Sequence, residues 1–343
     1  MGKLFPRTAA LLLCLSVLPA CFPGTLPAEA AASRAVTPIR AVVLPYISFA
    51  PFFIAKDEGY FAKQGLDVEF VRMVQASAAV SEVARGTIDV TTAGTRIGLY
   101  NAMARGAEIR FVADKGTFLK EQGVSNGFVV RKDLLDASGR PDWHRIKGGK
   151  VSLDGTSFWG FLFERYVGKN GLRMQDFVVE DLPVTAIPAG FTQGTLAMAH
   201  LSEPWLSKVV LDGYAVPAAS DASLAPSAHF AAICFGPSLL KKNREAGIRF
   251  MVAYLQGVRQ YNRGKTARNV AIMVRNTELD EATVKASAWS AIREDGMMDP
   301  SSFVEFQRWA KGKNILDRVM LPAEIWDPSF VKEANRALGQ TKP

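Results

Sequence analysis

The sequence has few residues of the kinds that build disulfides, metal sites and catalytic centres. Its 343 residues include only three cysteines and three histidines, and Cys14 and Cys21 both lie near the N-terminus. Cys234 is therefore alone in the rest of the chain, which excludes an intramolecular disulfide framework there. No histidine has another histidine or a cysteine three or four positions away, so the spacing does not predict a zinc site.

Motifs of phosphate-binding and hydrolytic enzymes are also absent. The chain has no G-x-S-x-G elbow, no Walker loop and no G-x-G-x-x-G fingerprint. Residues 148–150 (GGK) lack both the loop length and the following serine or threonine of a Walker loop. We therefore expect a protein that is not an enzyme and that has no catalytic residues, no bound metal and no cofactor.

No stretch of the chain has the composition of a nucleic-acid-binding surface. The formal net charge is +8, from 41 basic and 33 acidic residues, and the basic residues are scattered. The densest basic run, residues 241–244 (KKNR), is typical of a solvated helix end and contains no aromatic residue. We expect no nucleic-acid partner, whereas the positive charge is compatible with a mild attraction for anionic solutes.

The only long apolar run lies at the N-terminus and is too short to span a membrane. Residues 8–18 form this run, after a basic start that contains Lys3 and Arg7. A membrane-spanning helix needs about 20 apolar residues, whereas a basic start and a short apolar segment are typical of a secretory signal. We therefore predict that residues 1–32 are a signal peptide and linker, and that the protein is exported to the periplasm.

Two cleavage sites compete within this leader. Residues 18–21 (LPAC) resemble the lipobox of bacterial lipoproteins, in which the cysteine is acylated and anchors the protein to a membrane. The proline before Ala20 departs from the usual box. Residues 28–30 (AEA) offer instead the small-x-small pattern of ordinary signal peptidase. Lipidation of Cys21 and release of a soluble periplasmic form both remain open.

Beyond the leader, short strands and helices are predicted to alternate. Residues 39–44 and 67–71 have strand character, and residues 50–65 between them suit an amphipathic helix ended by glycine. Strands that alternate with helices of this length are typical of parallel α/β sheets. From residue 237 onward the pattern is mostly helical and includes helices predicted over residues 248–261 and 281–292.

The chain partly repeats itself, which predicts two lobes of similar construction. Residues 60–66 (YFAKQGL) are echoed by residues 166–172 (YVGKNGL). A Gly-Thr pair begins 26 residues after the tyrosine in the first copy and 28 residues after it in the second. We expect lobe 1 to comprise residues 36–126 and 230–343, with C-terminal helices, and lobe 2 to comprise residues 127–229. A cleft between two such lobes is the default place for a small ligand.

Polar residues at strand-to-helix junctions, and aromatic residues beside them, are the candidate ligand contacts. Thr156 and Ser157 precede a predicted helix, where free N–H groups suit an anion, but both are also ordinary capping residues. Arg96, at the corresponding junction of lobe 1, either supplies charge to an anion or forms a surface salt bridge. Aromatic residues there favour a ligand with an apolar or flat part, with core packing as the alternative. The aromatic candidates are Tyr46, Phe49, Phe52, Phe118, Phe158 and Trp205.

Three segments of the sequence together resemble a known family. They are residues 51–68 (PFFIAKDEGYFAKQGLDV), 86–89 (GTID) and 203–205 (EPW). They are similar to the opening, the G-x-(I/V)-D strand and the E-P-(W/Y) motif of substrate-binding proteins of nitrate/sulfonate/taurine-type ABC importers. This superfamily also contains thiamine-pyrimidine-binding and synthase-like proteins. The resemblance has one departure, because Ala197 stands where the family usually carries aspartate.

The resemblance implies a type II periplasmic-binding-protein fold, with two α/β lobes, each a mainly parallel sheet flanked by helices, and a ligand cleft between them. It implies a monomer that captures a small organic solute by hinge closure and delivers it to an inner-membrane permease with a cytoplasmic ATPase. It also places Glu203 and Trp205 near the hinge. The residues that it places on the cleft wall are Phe49, Pro51, Phe52, Thr95, Arg96, Thr156, Ser157 and Phe158.

The solute and two other functions remain open at this point. A sulfonate-like or carboxylate-like anion relies on Arg96 and the helix starts, whereas an aromatic or heterocyclic solute relies on stacking by phenylalanine and tryptophan. The same fold supports a pyrimidine-synthase-like enzyme, although this chain has a leader and no cysteine cluster. The third alternative is a ligand-binding subunit that reports to a membrane sensor instead of a permease.

Overall fold

The computed structural model describes residues 1–2, 35–73, 79–94, 96–119 and 123–339. The predictions for the signal peptide, for its cleavage and for lipidation of Cys21 lie outside the described residues, as does the prediction for Thr95. Within the described ranges, no helix combines the length and the apolar character that crossing a membrane requires.

The strands of the described residues form two five-stranded sheets. They are β1 (Thr37–Val43), β2 (Leu66–Arg72), β3 (Val90–Gly94), β4 (Arg110–Thr117), β5 (Asn126–Arg131), β6 (Lys150–Ser152), β7 (Val178–Glu180), β8 (Met198–Ser202), β9 (Ala215–Ser220) and β10 (His229–Phe235). The strand order is β2-β1-β3-β10-β4 in the first sheet and β7-β6-β8-β5-β9 in the second.

Four of the five strands in each sheet run in the same direction. In the first sheet, β1 pairs in parallel with β2 and β3, while β10 lies antiparallel between β3 and β4. In the second sheet, β6 pairs in parallel with β7 and β8, while β5 lies antiparallel between β8 and β9. The predicted α/β fold with two mainly parallel sheets is confirmed. Each antiparallel strand is the first that the chain forms after it leaves the other sheet.

The helices differ from the sequence prediction at two places. The helix predicted over residues 50–65 is divided in two at Gly59, whose φ of 70° is left-handed and suits glycine. The helix predicted over residues 281–292 ends at Ala286, because Ser287 leaves the helical conformation with ψ 136°. The described α-helices are α1 (Ala50–Asp57), α2 (Tyr60–Lys63), α3 (Ala79–Arg85), α4 (Ile97–Ala104), α5 (Trp143–Ile146), α6 (Phe158–Gly168), α7 (Ile187–Thr192), α8 (Trp205–Leu211), α9 (Asp221–Leu224), α10 (Arg244–Tyr261), α11 (Ala267–Thr277), α12 (Glu281–Ala286), α13 (Ser301–Gly312), α14 (Pro322–Ile325) and α15 (Ser329–Ala337).

Packing of α1 against α10 fixes a turn that reaches the space between the sheets. The Phe52 ring on α1 is fully buried, and its centroid lies 5.3 Å from that of Tyr254 on α10. Gly257 permits this close approach, since a Cβ at that position would lie 2.3 Å from the carbonyl oxygen of Pro51. The 3₁₀ turn Ile47–Phe49 leads directly into α1 and is itself buried. Its side chains are therefore held in place by the core of the first sheet.

Candidate functional site

A cavity of about 140 Å³ lies between the two sheets and takes its wall from both. An engineered protein cavity of roughly 150 Å³ holds benzene, so this space suits a solute with few non-hydrogen atoms. From the first sheet and its loops come Leu44, Tyr46, Ser48, Phe49, Thr92, Arg96, Lys115, Phe230 and Ala231. From the second sheet and its loops come Ser152, Leu153, Asp154, Ser157, Trp159, Asp181, Leu182, Val184, Ile187, His200, Leu201 and Ser202.

Lys115 on β4 brings a buried ammonium group to this cavity. Its Nζ donates a hydrogen bond of 2.7 Å to Ser48 Oγ and lies 3.8 Å from the centroid of the Phe49 ring. Burial lowers the pKa of Lys115 to about 7, against the opposing effect of the Asp114 carboxylate. Within the described ranges, no carboxylate oxygen lies within 4 Å of this ammonium.

The neighbouring Asp114 carboxylate is occupied by other groups. It accepts hydrogen bonds from His229 Nδ1 at 2.9 Å, from the backbone N–H of Gly116 at 3.0 Å and from that of Arg293 at 2.9 Å. The charge of Lys115 is therefore not neutralised by direct contact with its neighbour. Lys115 was not predicted from the sequence; the available signal was a charged pair, Asp114-Lys115, after the apolar residues 111–113 of β4.

Arg96 joins the first sheet to the second across one end of the cavity wall. Its guanidinium forms an ion pair with Asp154 and lies 3.9 Å from Asp181. The backbone of Arg96 forms a bridge with Ser157, and the N–H of Ile97 donates to the Thr156 carbonyl at 3.1 Å. Arg96 therefore lines the cavity, but carboxylates already partner its charge. It is less available to an anion than the Lys115 ammonium.

At the junction before α6, Ser157 has both of the roles that the sequence left open, namely helix capping and a place on the cavity wall. Ser157 caps α6, because its Oγ accepts from the N–H of Trp159 at 3.2 Å, and it also lines the cavity. Thr156 is exposed, and its Oγ1 donates to Asp154 Oδ1 at 2.7 Å. Phe158 is buried in the core, with its ring 6.0 Å from that of Phe306. Of the three predicted residues, the structure brings only Ser157 to the cavity wall.

The predicted aromatic residues divide between the cavity and the core. Tyr46 and Phe49 line the cavity, and burial raises the pKa of the Tyr46 phenol to about 12. Pro51 and Phe52 pack in the core against α10, which corrects the expectation that they face the cleft. Phe118 is also buried; it stacks at 4.7 Å on Phe230, which itself lines the cavity.

Glu203, Pro204 and Trp205 connect the second sheet to the turn before α1. The Trp205 indole N–H donates to the Pro45 carbonyl at 3.1 Å, and the N–H of Ile47 donates to the Glu203 carbonyl at 2.9 Å. Neither Glu203 nor Trp205 is part of the cavity wall as described. Their contacts hold the turn that carries Tyr46 and Phe49.

The buried Glu203 carboxylate is satisfied by hydrogen bonds from two elements. It accepts from the N–H of Ser207 at 2.9 Å, from the Ser207 hydroxyl at 2.8 Å and from the N–H of Ala288 at 3.1 Å. Burial raises the pKa of Glu203, and these hydrogen bonds offset part of the effect. The carboxylate thus ties α8 to the segment that follows α12.

His200 and Trp159 are further cavity residues that were not predicted from the sequence. The imidazole stacks on the Trp159 ring with centroids 4.3 Å apart, and its Nε2 lies 2.7 Å from Asp221 Oδ2. A lone histidine in an apolar strand gave a weak signal, because its partner Asp221 is distant in sequence. In the part of the chain that the structure describes, no group of three or more His, Cys, Asp or Glu side chains is placed to hold a metal ion.

Comparison with protein families and curated proteins gives two matches that span most of the described chain. Residues 46–261 match the family model described as "NMT1/THI5 like". The chain is 20% identical over 288 residues to the "Putative binding protein YtlA" of Bacillus subtilis (strain 168), a match that covers 81% of this chain and 82% of that protein.

Solved structures of binding proteins and of an enzyme share the fold. A ligand-binding component of an ABC-type import system from Staphylococcus aureus, with zinc bound, has a TM-score of 0.73 at 16% identity, covering 88% of this chain and 99% of that one. The periplasmic nitrate-binding protein NrtA from Synechocystis PCC 6803 has a TM-score of 0.72 at 16% identity, and the match covers 88% of this chain and 89% of that one. The desulfurization enzyme DSZB has a TM-score of 0.60 at 12% identity, and the match covers 88% of this chain and 99% of that one. At these identities the likeness establishes the fold alone.

Proposed function

The chain belongs to the NMT1/THI5-like family, and on that premise we propose that it is the extracytoplasmic solute-binding component of an ABC importer. The observation that carries the proposal is a small cavity with a buried ammonium group, built from both sheets. A site assembled from two lobes binds best when both lobes contact the ligand, which couples capture to hinge closure. The fold that this chain shares with import-system binding proteins supports the same function.

The solute that this cavity suits best is a small anion with a short apolar part. Lys115 supplies a positive charge with no carboxylate in direct contact among the described residues. Hydroxyl groups of Ser48, Thr92 and Ser202 supply polar contacts, while Phe49 and Trp159 supply apolar surface. A volume of about 140 Å³ favours a compact sulfonate or carboxylate over a large aromatic or heterocyclic compound.

Location and partners follow from the proposed role. A binding component works outside the inner membrane and delivers its solute to a permease that a cytoplasmic ATPase drives. The leader over residues 1–32 supports export, and acylation of Cys21 would anchor the protein beside its permease. Intact-mass measurement of the exported protein distinguishes an acylated Cys21 from cleavage near Ala30.

An enzyme is the second candidate function, because DSZB shares the fold. The cysteine of the described chain, Cys234, is buried in β10 and is not part of the cavity wall, so it is poorly placed as a nucleophile. A binding protein returns its ligand unchanged. Recovery of an altered solute after incubation would favour the enzyme.

Thermal unfolding of the purified protein in the presence of candidate solutes tests the binding function. The panel contains nitrate, short sulfonates, short carboxylates, pyrimidines and flavins. A true ligand at 100 times its Kd should stabilise the fold by about 2.7 kcal/mol, a shift of several degrees in Tm. We expect a small anion to produce this shift in the wild-type protein and to produce none in Lys115→Met. Lys285→Met, on the exposed face of α12, is the control and should keep the shift. A shift only with flavins or pyrimidines would contradict the anion assignment, and no shift with any solute would contradict the binding function.

A further inference from the structure

His200 is held rigidly on the second-sheet side of the cavity. It lies on β8, where the Trp159 ring stacks on its face at 4.3 Å with an interplanar angle of 16°. The Phe128 ring meets it edge to face at 5.1 Å and 71°. Its Nε2 is 2.7 Å from Asp221 Oδ2. The ring therefore has little freedom to rotate, and its remaining nitrogen has a defined direction.

Burial of the Asp221 carboxylate costs free energy, and a purely structural role does not explain that cost. It lies at the first position of α9, is fully buried, and bonds His200 through Oδ2. Within the described ranges, the other carboxylate oxygen, Oδ1, makes no hydrogen bond. A buried carboxylate with an unsatisfied oxygen destabilises a fold. Arrangements of this kind are found where a functional site requires them.

The hydrogen bond to Asp221 determines what His200 offers to the cavity. A carboxylate only accepts, so the hydrogen in this bond belongs to Nε2 of the imidazole. In the neutral ring Nδ1 is then an acceptor. Nδ1 makes no hydrogen bond to any group in the part of the chain that the structure describes, and His200 forms part of the cavity wall.

We infer that the Asp221–His200 pair is a specificity element that accepts a hydrogen bond, through His200 Nδ1, from an O–H or N–H group of the solute. The inference rests on the proposed function and deepens it. Lys115, on the first-sheet side, binds the anionic part, and His200, on the second-sheet side, selects for a donor on the same molecule. A solute without a donor leaves Nδ1 unpaired after water has been displaced, which costs affinity. The site therefore favours hydroxylated or aminated small anions over isosteric anions that lack a donor.

Isothermal titration with matched probes at pH 7.5 tests the assignment, because an ordinary imidazole is mostly neutral at this pH while part of the Lys115 ammonium, with its pKa of about 7, is still charged. The first pair is hydrogencarbonate and nitrate, and the second is 2-hydroxyethanesulfonate and propane-1-sulfonate. We expect the donor-bearing member of a pair that binds to have an affinity higher by about tenfold or more, the value of one good hydrogen bond. Equal affinities, or a preference for the member without a donor, would overturn the inference. Absence of binding by every probe would contradict the proposed small-anion function and the inference with it.

Two variants separate this role from a merely structural one. His200→Phe keeps a ring against Trp159 but leaves Asp221 without its partner, so the double variant His200→Phe/Asp221→Leu, which removes both polar groups, guards against misfolding. We expect the double variant to fold and to bind both members of each pair equally, because the donor-bearing member loses its advantage of about tenfold. His144→Ala, on the exposed face of α5, is the control and should still discriminate between the members of each pair. Discrimination that survives in the folded double variant would refute the assignment.

The ring hydrogen itself provides a readout that needs no ligand. The ¹⁵N chemical shifts of the imidazole nitrogens report which nitrogen is protonated, and comparison with His200→Phe assigns the His200 signals. We expect a hydrogen on Nε2 and none on Nδ1 at pH 8. A hydrogen on Nδ1 would overturn the inference even if the probes bind.

Discussion

In a cavity without a ligand, the positive charge of Lys115 and its burial oppose each other energetically. Its ammonium is buried among Ser48, Phe49 and the cavity, and within the described ranges it has no carboxylate in contact. Removing a charge from water without a partner destabilises the fold. An anion in the cavity would supply the missing partner. Lys115 is thus better explained by binding than by stability.

The affinity of an anionic probe should fall as the pH rises above about 7. Burial lowers the pKa of Lys115 to about 7, and only the charged ammonium attracts an anion, so deprotonation removes the attraction. The fall should approach tenfold per pH unit once the empty site is mostly neutral. Titration calorimetry from pH 6 to 9, in buffers of different ionisation enthalpy, measures both the affinity and the proton taken up.

Lys115→Arg serves as the matched variant, because a guanidinium stays charged over this range. Its affinity should vary little with pH in the same buffers. A wild-type affinity that is equally flat from pH 6 to 9 would contradict the role given to the ammonium.

At the scale of elements, the connection between α8 and the turn before α1 is the clearest case of a motif with a structural task. The Glu203 carboxylate accepts three hydrogen bonds, from Ser207 and Ala288. Trp205 bonds the Pro45 carbonyl at 3.1 Å. Residues 203–205 therefore act on the cavity indirectly, by fixing the turn that carries two of its aromatic side chains.

Glu203→Ala should lower the free energy of unfolding by about 2–4 kcal/mol. The variant leaves the buried N–H group of Ser207 and the half-buried N–H group of Ala288 without an acceptor, and such a loss costs about 1–3 kcal/mol for a buried group. Urea denaturation with an unchanged m-value provides the measurement. Glu281→Ala, at an exposed position of α12, should change stability by less than about 0.5 kcal/mol. Equal midpoints for Glu203→Ala and Glu281→Ala would refute the prediction.

At this scale, the sequence predicts those features that depend on residues close together in the chain. The junctions at Arg96 and Ser157 were predictable, because capping residues and alternating periodicities are local signals. The burial of Phe52 was not, since nothing near it shows which face of α1 meets α10. Lys115 and His200 were missed for the same reason: their partners Ser48 and Asp221 are 67 and 21 residues away.

At the scale of the whole molecule, two sets of contacts join the sheets beside the cavity. One set contains the Arg96–Asp154 ion pair and the backbone bond from Ile97 to Thr156. The other contains the bonds that residues 203–205 make to the turn before α1. The proposed hinge closure would require one set that separates and one that persists. The ion pair between side chains is the natural candidate for the first.

Arg96→Gln should shift the protein without ligand toward a more open form. Loss of a partly buried ion pair removes a contact made only when the sheets are close, and a shift of about 1.4 kcal/mol changes the population ratio tenfold. We expect a larger radius of gyration by small-angle X-ray scattering and an affinity about tenfold lower for an anionic probe. Arg105→Gln, which breaks only the exposed ion pair with Asp317, should change neither. An unchanged radius and affinity for Arg96→Gln would exclude this role.

The position of β10 has a consequence for how the chain acquires its structure. This strand lies between β3 and β4, yet His229 follows Thr117, its partner on β4, by 112 residues. The first sheet therefore stays divided until the whole second sheet has been synthesised. Contacts so distant in sequence slow folding, so the first sheet is completed only after most of the chain has been synthesised. If the chain is exported as proposed, a first sheet that is completed late keeps this part of the chain easier to thread through an export channel.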